Sequence, residues 1–414
     1  MREKDKKMDY NIIATTLFGI ESVTASELQE LGYDRSHIKV SDGQVMLTVT
    51  GHEEMRLAVA RLNIWLRTAE RILVELGSYE ARDFDTLFER AQELPWENWI
   101  EKGSAFHVNG YSRKSVLFGI PACQRTIKKA IVLRLSRLYN LASGAELPES
   151  QSLGLLKLQF SIISDRVTIM ADTSGDGLHK RGYRPLRHEA PIRETLAAAM
   201  LYLSRFGLAG ENEAVYDPFC GSGTIPIEAA LIASKTAPGL RRRFSGEEWP
   251  FVGAKIFDQV RAEAEAAVIT SPPANIKIFG SDIDEGAIRV AQTNAAKAGV
   301  GRWIDFRKQD IMQIKPDSLT EWTGTPWHLV ICNPPYGERL LDASAAQQLY
   351  RGLASWTIDS AGNARAGIRL SVITPDSGFE DIAGGRADKR RKLYNGMIQC
   401  TMYHYFKQTR HNKN

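Results

Sequence analysis

The sequence predicts an α/β protein: a Rossmann-like, doubly wound domain over residues 195–414, preceded by an α+β module. Three observations carry that class. After Thr195, apolar strand candidates alternate with helical patterns. A Gly-rich turn in VYDPFCGSGTIPIEAA (215–230) joins the first of these strands to a helix. The first 80 residues read as strand, helix, two strands, helix, strand.

In the N-terminal module, IIATT (12–16) is a strand, and Ile20 to Leu31 carries helical spacing that stops at Gly32. HIKVS (37–41) and QVMLTVT (44–50) flank Asp42-Gly43, a strong hairpin turn. Glu53 to Trp65 is helical, and RILVEL (71–76) closes the order βαββαβ, a ferredoxin-like split unit. A second unit follows. It has a helix from Phe84 to Ile100 around Pro95, a strand AFHVNGY (105–111) and a basic helix from Cys123 to Leu138. Its last strands, LLKLQFSII (155–163) and RVTIMAD (166–172), pair across Ser164-Asp165. SGDGLHKRGYRPLRHEAP (174–191), rich in Gly, Pro and cations, reads as a linker. The expected divisions are 1–79, 80–175, 176–194 and 195–414.

Beyond the linker the strand candidates are 214–219, 276–283, 303–310, 327–333, 369–375 and 397–406. Helical patterns cover Ile225 to Lys235, Glu285 to Ala298 and Ala345 to Trp356. The stretch 236–272, with RRRF and several Pro and Gly residues, is an elaboration outside the sheet.

Composition narrows the function classes. The 414 residues are 43% hydrophobic and 25% charged, which suits two or three globular domains. No apolar run of about 18 residues exists, so no membrane span is expected, and the first residues show no signal peptide. The four cysteines (Cys123, Cys220, Cys332, Cys400) form no Cys-x-x-Cys pair. That speaks against a zinc site and a disulfide framework and fits a reducing cytoplasm. A net charge of +4 permits a nucleic-acid partner without requiring one. No feature specifies an oligomeric state.

The glycine loop places Asp217, Pro218 and Phe219 at a strand end, then Gly221 and Gly223, then Thr224 opening a helix. Glycines let the chain turn sharply and let a ligand approach the backbone. Pro226 stands where a dinucleotide fingerprint has its third glycine, and no Gly-Lys-Ser/Thr follows, so a phosphate cradle is poorly supported. Asp217 would repel a pyrophosphate but suits a cation such as the ammonium and sulfonium of a methionine-derived cofactor. A bare βα turn is the bland alternative. The next strand ends in GSDID (280–284), where an acidic residue accepts ribose hydroxyls. Asp282 is the choice, with Ile283 beside it and Asp284 capping the helix; the reverse assignment stays open. Asp310 ends the third strand and could accept a proton from an adenine amine, or simply cap a helix.

The fourth strand ends in ICNPPYGERL (331–340), the most specific signal. An exocyclic amine of a base is nearly planar, with its lone pair delocalised into the ring. Acceptors on its two N–H bonds favour a more tetrahedral nitrogen aimed at a methyl sulfonium. The Asn333 side-chain oxygen and the Pro334 carbonyl supply both, and Pro334 and Pro335 stiffen the turn. Tyr336 offers a face to an extracted base. Asn is not a strong base, so catalysis rests on positioning and in-line approach.

DPFCGSGT, GSDID, QD and NPPYGERL together resemble the class I, S-adenosylmethionine-dependent amino-methyltransferases. HKRGYR (179–184) and APIRETLAAAML (190–201) narrow this to the N2-guanine RNA methyltransferases with an N-terminal THUMP domain. The resemblance implies a seven-stranded mixed sheet, S-adenosylmethionine as cofactor and no metal. It further implies a ferredoxin-like plus THUMP module binding RNA, ribosomal or transfer, and a helix around Thr195 beside the cofactor. Candidate RNA contacts are Arg113 and Lys114 beside Tyr111, and Arg125, Lys128 and Lys129 on the basic helix. Lys180, Arg181, Tyr183, Arg184 and Arg187 in the linker join them, or else pack as an interdomain strap. A second cationic cluster is Arg386, Lys389, Arg390, Arg391 and Lys392. Adenine N6 methylation and a non-catalytic RNA-binding factor are the competing readings, because NPPY serves any exocyclic amine.

Overall fold

The computed structural model describes residues 8–140, 150–184, 192–207, 212–273, 275–336 and 343–408. The described residues fall into two compact units. The first gathers residues within Met1–Thr15, Glu27–Leu178 and Arg242–Glu263. The second gathers residues within Thr16–Ser26, His179–Arg241 and Ala264–Asn414.

In the N-terminal half the chain order is β1 (Asp9–Thr16), α1 (Glu21–Glu30), β2 (Ile38–Ser41), β3 (Gln44–Thr50), α2 (His52–Trp65) and β4 (Ala69–Glu80). It continues with α3 (Phe84–Glu93), β5 (Ser104–Arg113), α4 (Ile120–Leu138), β6 (Ser150–Ile163) and β7 (Arg166–Asp172). The Asp42-Gly43 turn joins β2 to β3, with Ser41 opposite Gln44. The strands form one sheet, ordered β2-β3-β1-β4-β7-β6-β5. Its first four strands have the ferredoxin-like order. β4 then pairs antiparallel with β7, from Leu73 opposite Asp172 to Glu80 opposite Arg166. The strand thus serves both halves, which sequence reading treats as separate. The expected helix 84–100 stops at Glu93, because Pro95 lacks the N–H that would continue it. Along α4, Cys123, Ile127, Ala130, Ile131 and Leu135 are buried, so Arg125, Lys128 and Lys129 face solvent.

The second half runs α5 (Glu194–Leu203), β8 (Ala214–Asp217), α6 (Thr224–Ala233), α7 (Ala254–Ala266), β9 (Lys277–Asp282), α8 (Glu285–Ala298) and β10 (Ile304–Lys308). Then come α9 (Pro316–Thr323), β11 (His328–Cys332), α10 (Ala343–Thr357), β12 (Ile368–Thr374), α11 (Phe379–Ala383), β13 (Lys389–Asn395) and β14 (Ile398–Tyr405). The sheet order is β10-β9-β8-β11-β12-β14-β13. Strands β8 to β12 are parallel, and β14 is antiparallel to both β12 and β13. Apolar cores cover the sheet, one built on Leu196, Met200, Ile225 and Ile331, the other on Tyr216, Val330, Tyr350 and Phe379. Strand β13 was not expected. Its sequence KRRKLYN reads as a cationic cluster, yet it forms the sheet edge with only Leu393 buried. Charge along an edge discourages pairing with another chain.

Two segments pack away from their neighbours in sequence. Residues 242–263, part of the expected elaboration, belong to the first unit: Arg56 Nε donates to the Val252 carbonyl at 2.8 Å, and Gly246 N donates to the Thr173 carbonyl at 2.9 Å. Residues 16–26 belong to the second unit: Arg391 Nε donates to the Gly19 carbonyl at 2.6 Å. Among the described residues no helix is long and apolar enough to cross a membrane, and no group of three His, Cys, Asp or Glu could hold a metal. All four cysteines are buried and free.

Candidate functional site

The chain leaves β8 toward β9 and β10 on one side and reaches β11 on the other. The carboxyl ends of β8 and β11 therefore flank the switch point of the sheet, where α/β folds bind ligands. Both sequence signals converge there. β8 ends at Asp217 and β11 ends just before Asn333, in neighbouring parallel strands with Val330 opposite Tyr216.

The glycine loop is held by its neighbours. Cys220 N donates to the Ser281 carbonyl at 2.9 Å, and Gly221 N donates to Asp282 Oδ2 at 2.9 Å. Asn294 Nδ2 donates to the Ser222 carbonyl at 3.0 Å. Gly223 has φ +83°, and a Cβ there would lie 3.0 Å from the Ala291 Cβ, so the helix packs where a side chain would stand. A Cβ on Gly221 meets nothing within 4 Å, so that backbone faces open space.

Asp217 is buried and accepts from Phe219 N at 3.0 Å. Burial, reinforced by nearby Asp282, pushes its carboxyl well above the usual range. A cation placed beside these two carboxylates would favour their ionised forms. Asp282 is half-buried and also accepts from Asp284 N at 3.0 Å. Asp284 is the N-cap of α8, accepting from Gly286 N at 2.8 Å. Ile283 is exposed beside Asp282. Asp310 is half-buried and caps a short 3-10 turn, accepting from Met312 N at 2.9 Å. Met312, which sequence reading passed over, is likewise exposed. Thr195 and Thr224 are buried at the starts of α5 and α6.

At the end of β11, Asn333 Oδ1 is buried and has no hydrogen-bond partner among the described residues. Pro334 is buried, and Pro335 and Tyr336 are half-buried. The Tyr336 hydroxyl accepts from Asn395 Nδ2 at 2.7 Å and lies 3.8 Å from Cys400 Sγ. Burial raises its pKa, so the phenol keeps its proton at neutral pH. Residues 337–340 of the motif lie outside the described residues.

Of the two readings open for the linker, RNA contact or packing against acidic neighbours, Arg181 and Arg184 show the second. Arg181 is buried against Glu228 of α6, with Nε 3.4 Å from Oε1, and the Tyr183 hydroxyl donates to the same oxygen at 3.1 Å. Arg184 pairs with Glu194 of α5 at 2.6 Å and donates to Thr224 Oγ1 at 3.1 Å. Buried side chains committed to carboxylates offer nothing to a phosphate. Arg181, Tyr183 and Arg184 instead fasten α5 and α6, the helices behind the glycine loop. Lys180 is exposed, and Arg187 lies outside the described residues. Glu228 was missed, although a single carboxylate in the apolar run IPIEAALIA signals a buried partner. Asn395 was missed too, although Asn395-Gly396 is a hairpin turn signal. Arg113, Lys114, Arg125, Lys128 and Lys129 are all exposed in the first unit. Lys128 Nζ and Lys129 Nζ lie 5.6 and 5.7 Å from the Phe106 and Phe88 ring centres.

A sheet of this order with its carboxyl-end loop, strand-end acids and NPPY turn defines a class I, S-adenosylmethionine-dependent methyltransferase. The chain belongs to the RMKL-like methyltransferase family, whose domain model matches residues 181–404. Models of the RlmL ferredoxin-like domain and the THUMP domain match residues 11–73 and 81–140. The Bacillus subtilis protein named "Putative RNA methyltransferase YpsC" is 39% identical over 404 residues, 97% of each chain. "Ribosomal RNA large subunit methyltransferase K/L" of Hahella chejuensis is 32% identical, covering 95% of this chain. The chain spans about half of that relative, 53% of its length. Among solved structures, a Listeria monocytogenes protein named "a predicted N6-adenine-specific DNA methylase" superposes with TM-score 0.82 at 38% identity, covering 96% of each chain. SMU.472, named "a putative methyltransferase complexed with SAH", superposes with TM-score 0.83 at 34% identity, covering 98% of this chain and all of its own. S-adenosylmethionine is the cofactor. The buried Asp217 acid and the open face of Gly221 fit its cationic and backbone-facing parts.

Proposed function

We propose that the protein is a cytoplasmic RNA methyltransferase that modifies the exocyclic N2 of a guanine, in large-subunit ribosomal RNA. The observation that carries the amine chemistry is the buried, unpartnered Asn333 Oδ1 beside the cofactor loop. A buried acceptor without a donor is costly, and a site keeps one when a ligand supplies the donor.

Bound S-adenosylmethionine supplies an electrophilic methyl on a sulfonium. The chain's residues do the rest. Asp217 receives the cofactor ammonium, Asp282 the ribose hydroxyls and Asp310 the adenine amine, with Ile283 against the ring. Asn333 Oδ1 and the Pro334 carbonyl accept the two N–H bonds of the target amine and orient its lone pair. Tyr336 presents its ring to the base, while Asn395 fixes the hydroxyl at the far edge. A phenol that stays protonated is no general base, so the proton leaves to solvent after transfer.

RNA as substrate is supported by the exposed cations Arg113, Lys114, Arg125, Lys128 and Lys129 of the THUMP region, and by the names of the relatives. Guanine N2 rests on the family resemblance. Adenine N6 is the second reading, favoured by the name of the Listeria protein. Nucleoside mass analysis of RNA from cells with and without the gene decides. Loss of N2-methylguanosine supports the proposal, and loss of N6-methyladenosine replaces it. No change in either leaves a non-catalytic RNA-binding role.

A further inference from the structure

We propose that the β13–β14 hairpin and the adjoining Leu17–Gly19 loop form a second nucleic-acid contact, a platform for unpaired nucleotides flanking the target base. The inference rests on the RNA methyltransferase reading above. The hairpin tip is coupled to the site, because Asn395, at the end of β13, donates to the Tyr336 hydroxyl at 2.7 Å. Next to that bond the surface is unusually apolar. Met397 is 98% exposed, Ile398 49% and Phe18 46%. Phe18 meets Tyr394 edge to face, with ring centres 6.1 Å apart. Large apolar side chains clustered in solvent beside a site mark a binding surface.

The charge decides the partner. Lys392 Nζ lies 5.7 Å from the Tyr394 ring centre. Arg391 fixes the loop, donating from Nε to the Gly19 carbonyl at 2.6 Å and from Nη2 to Ser22 Oγ at 2.8 Å. Glu21 Oε2 accepts from Gly19 N at 3.0 Å, and Glu380 pairs with Arg390 at 2.7 Å, so both carboxylates are engaged. Gly19 has φ +93°, and a Cβ there would lie 2.4 Å from the Lys392 carbonyl oxygen, so the loop lies flat on β13. Aromatic and thioether surface edged by cations suits stacked bases on a phosphate backbone. Extracting one base from a stack also unstacks its neighbours. A platform beside Tyr336 would receive them.

The test uses the full chain and large-subunit ribosomal RNA from a strain lacking the gene. The double variant F18A/M397S should raise KM for RNA about tenfold, with kcat at saturating RNA and affinity for S-adenosylmethionine unchanged. K392E should act in the same direction. A photocrosslinking residue at position 397 should attach to a nucleotide within a few positions of the methylated one. If the wild-type protein methylates RNA while both variants keep its KM, the platform is overturned and the function stands. If the wild-type protein methylates no RNA, both fall. Melting temperatures close to wild type exclude misfolding, since all three side chains are exposed.

Discussion

Replacing Asn333 by Ala separates chemistry from stability. Oδ1 is buried and makes no hydrogen bond to any described residue, so truncation removes no bond from that oxygen to the described fold. Most buried polar truncations leave a partner stranded and cost about 1–3 kcal/mol. Here the stranded atom is the one removed, so the urea midpoint should hold or rise slightly. The transition state loses a positioned acceptor on a developing positive nitrogen, a role equivalent to one donor of an oxyanion hole with its sign reversed. Removing such a group lowers kcat about 10²–10³-fold, or about 2.7–4 kcal/mol. Affinity for S-adenosylmethionine should be unchanged, since Asn333 stands on β11 while the glycine loop stands on β8. The assay is single-turnover transfer of labelled methyl to RNA, beside calorimetric titration of the cofactor. Full turnover by the variant would falsify the role given to Asn333. A fall in stability matching the fall in rate would refute the argument that Oδ1 is idle in the free fold.

Asp217 should make cofactor affinity pH-dependent. Its carboxyl is raised in the fold by burial and by Asp282. As pH rises above the unfolded value near 3.8, the unfolded chain ionises first, so this acid's stabilising contribution falls until its folded pKa is passed. An ammonium needs the ionised form, so S-adenosylmethionine binding should tighten with rising pH up to that value, by about tenfold per unit at most. Asp217→Asn should bind weakly with a flat profile, read by calorimetry, and a sloping profile in that variant would refute the assignment. Glu228→Gln should destabilise by about 3–5 kcal/mol by removing the buried carboxylate that pairs with Arg181. In urea unfolding, R181M/E228L should recover much of that loss, and RNA affinity at low denaturant should not change. Arg113→Ala with Lys114→Ala should weaken RNA binding. The slope of log affinity against log salt should fall by about 0.7 for each phosphate no longer neutralised, with kcat at saturating RNA intact. An unchanged slope would remove these residues from the interface.

What was legible in the sequence followed from local signals with short reach. The Gly-rich turn, GSDID and NPPY each mark a strand end, and parallel strands bring such ends to one edge of a sheet. Asp42-Gly43 fixed a two-residue hairpin for the same local reason. Long-range pairing was not legible. The lysines and arginines of β13 read as a cationic cluster and not as a strand because an edge strand buries one face at most. For Arg181 and Arg184 the sequence left phosphate contact and pairing with acidic neighbours both open, because nothing local marks the partners, Glu228 and Glu194, 47 and 10 residues away. The sheet shared through β4 and β7 joins strands about 90 residues apart, with no marker at either.

The exchanged segments bear on how the chain comes off the ribosome. The first unit receives its last packing segment, Arg242–Glu263, roughly 85 residues after Leu178. At ordinary elongation rates that is a wait of about 4–17 seconds. Meanwhile Thr16–Ser26, made well before the rest of the second unit, must stay available for a domain not yet synthesised. Neither unit can therefore be finished as an uninterrupted length of nascent chain. Cutting the gene at the apparent linker should give two fragments that each lack a piece held by the other, and such fragments should express better together than alone.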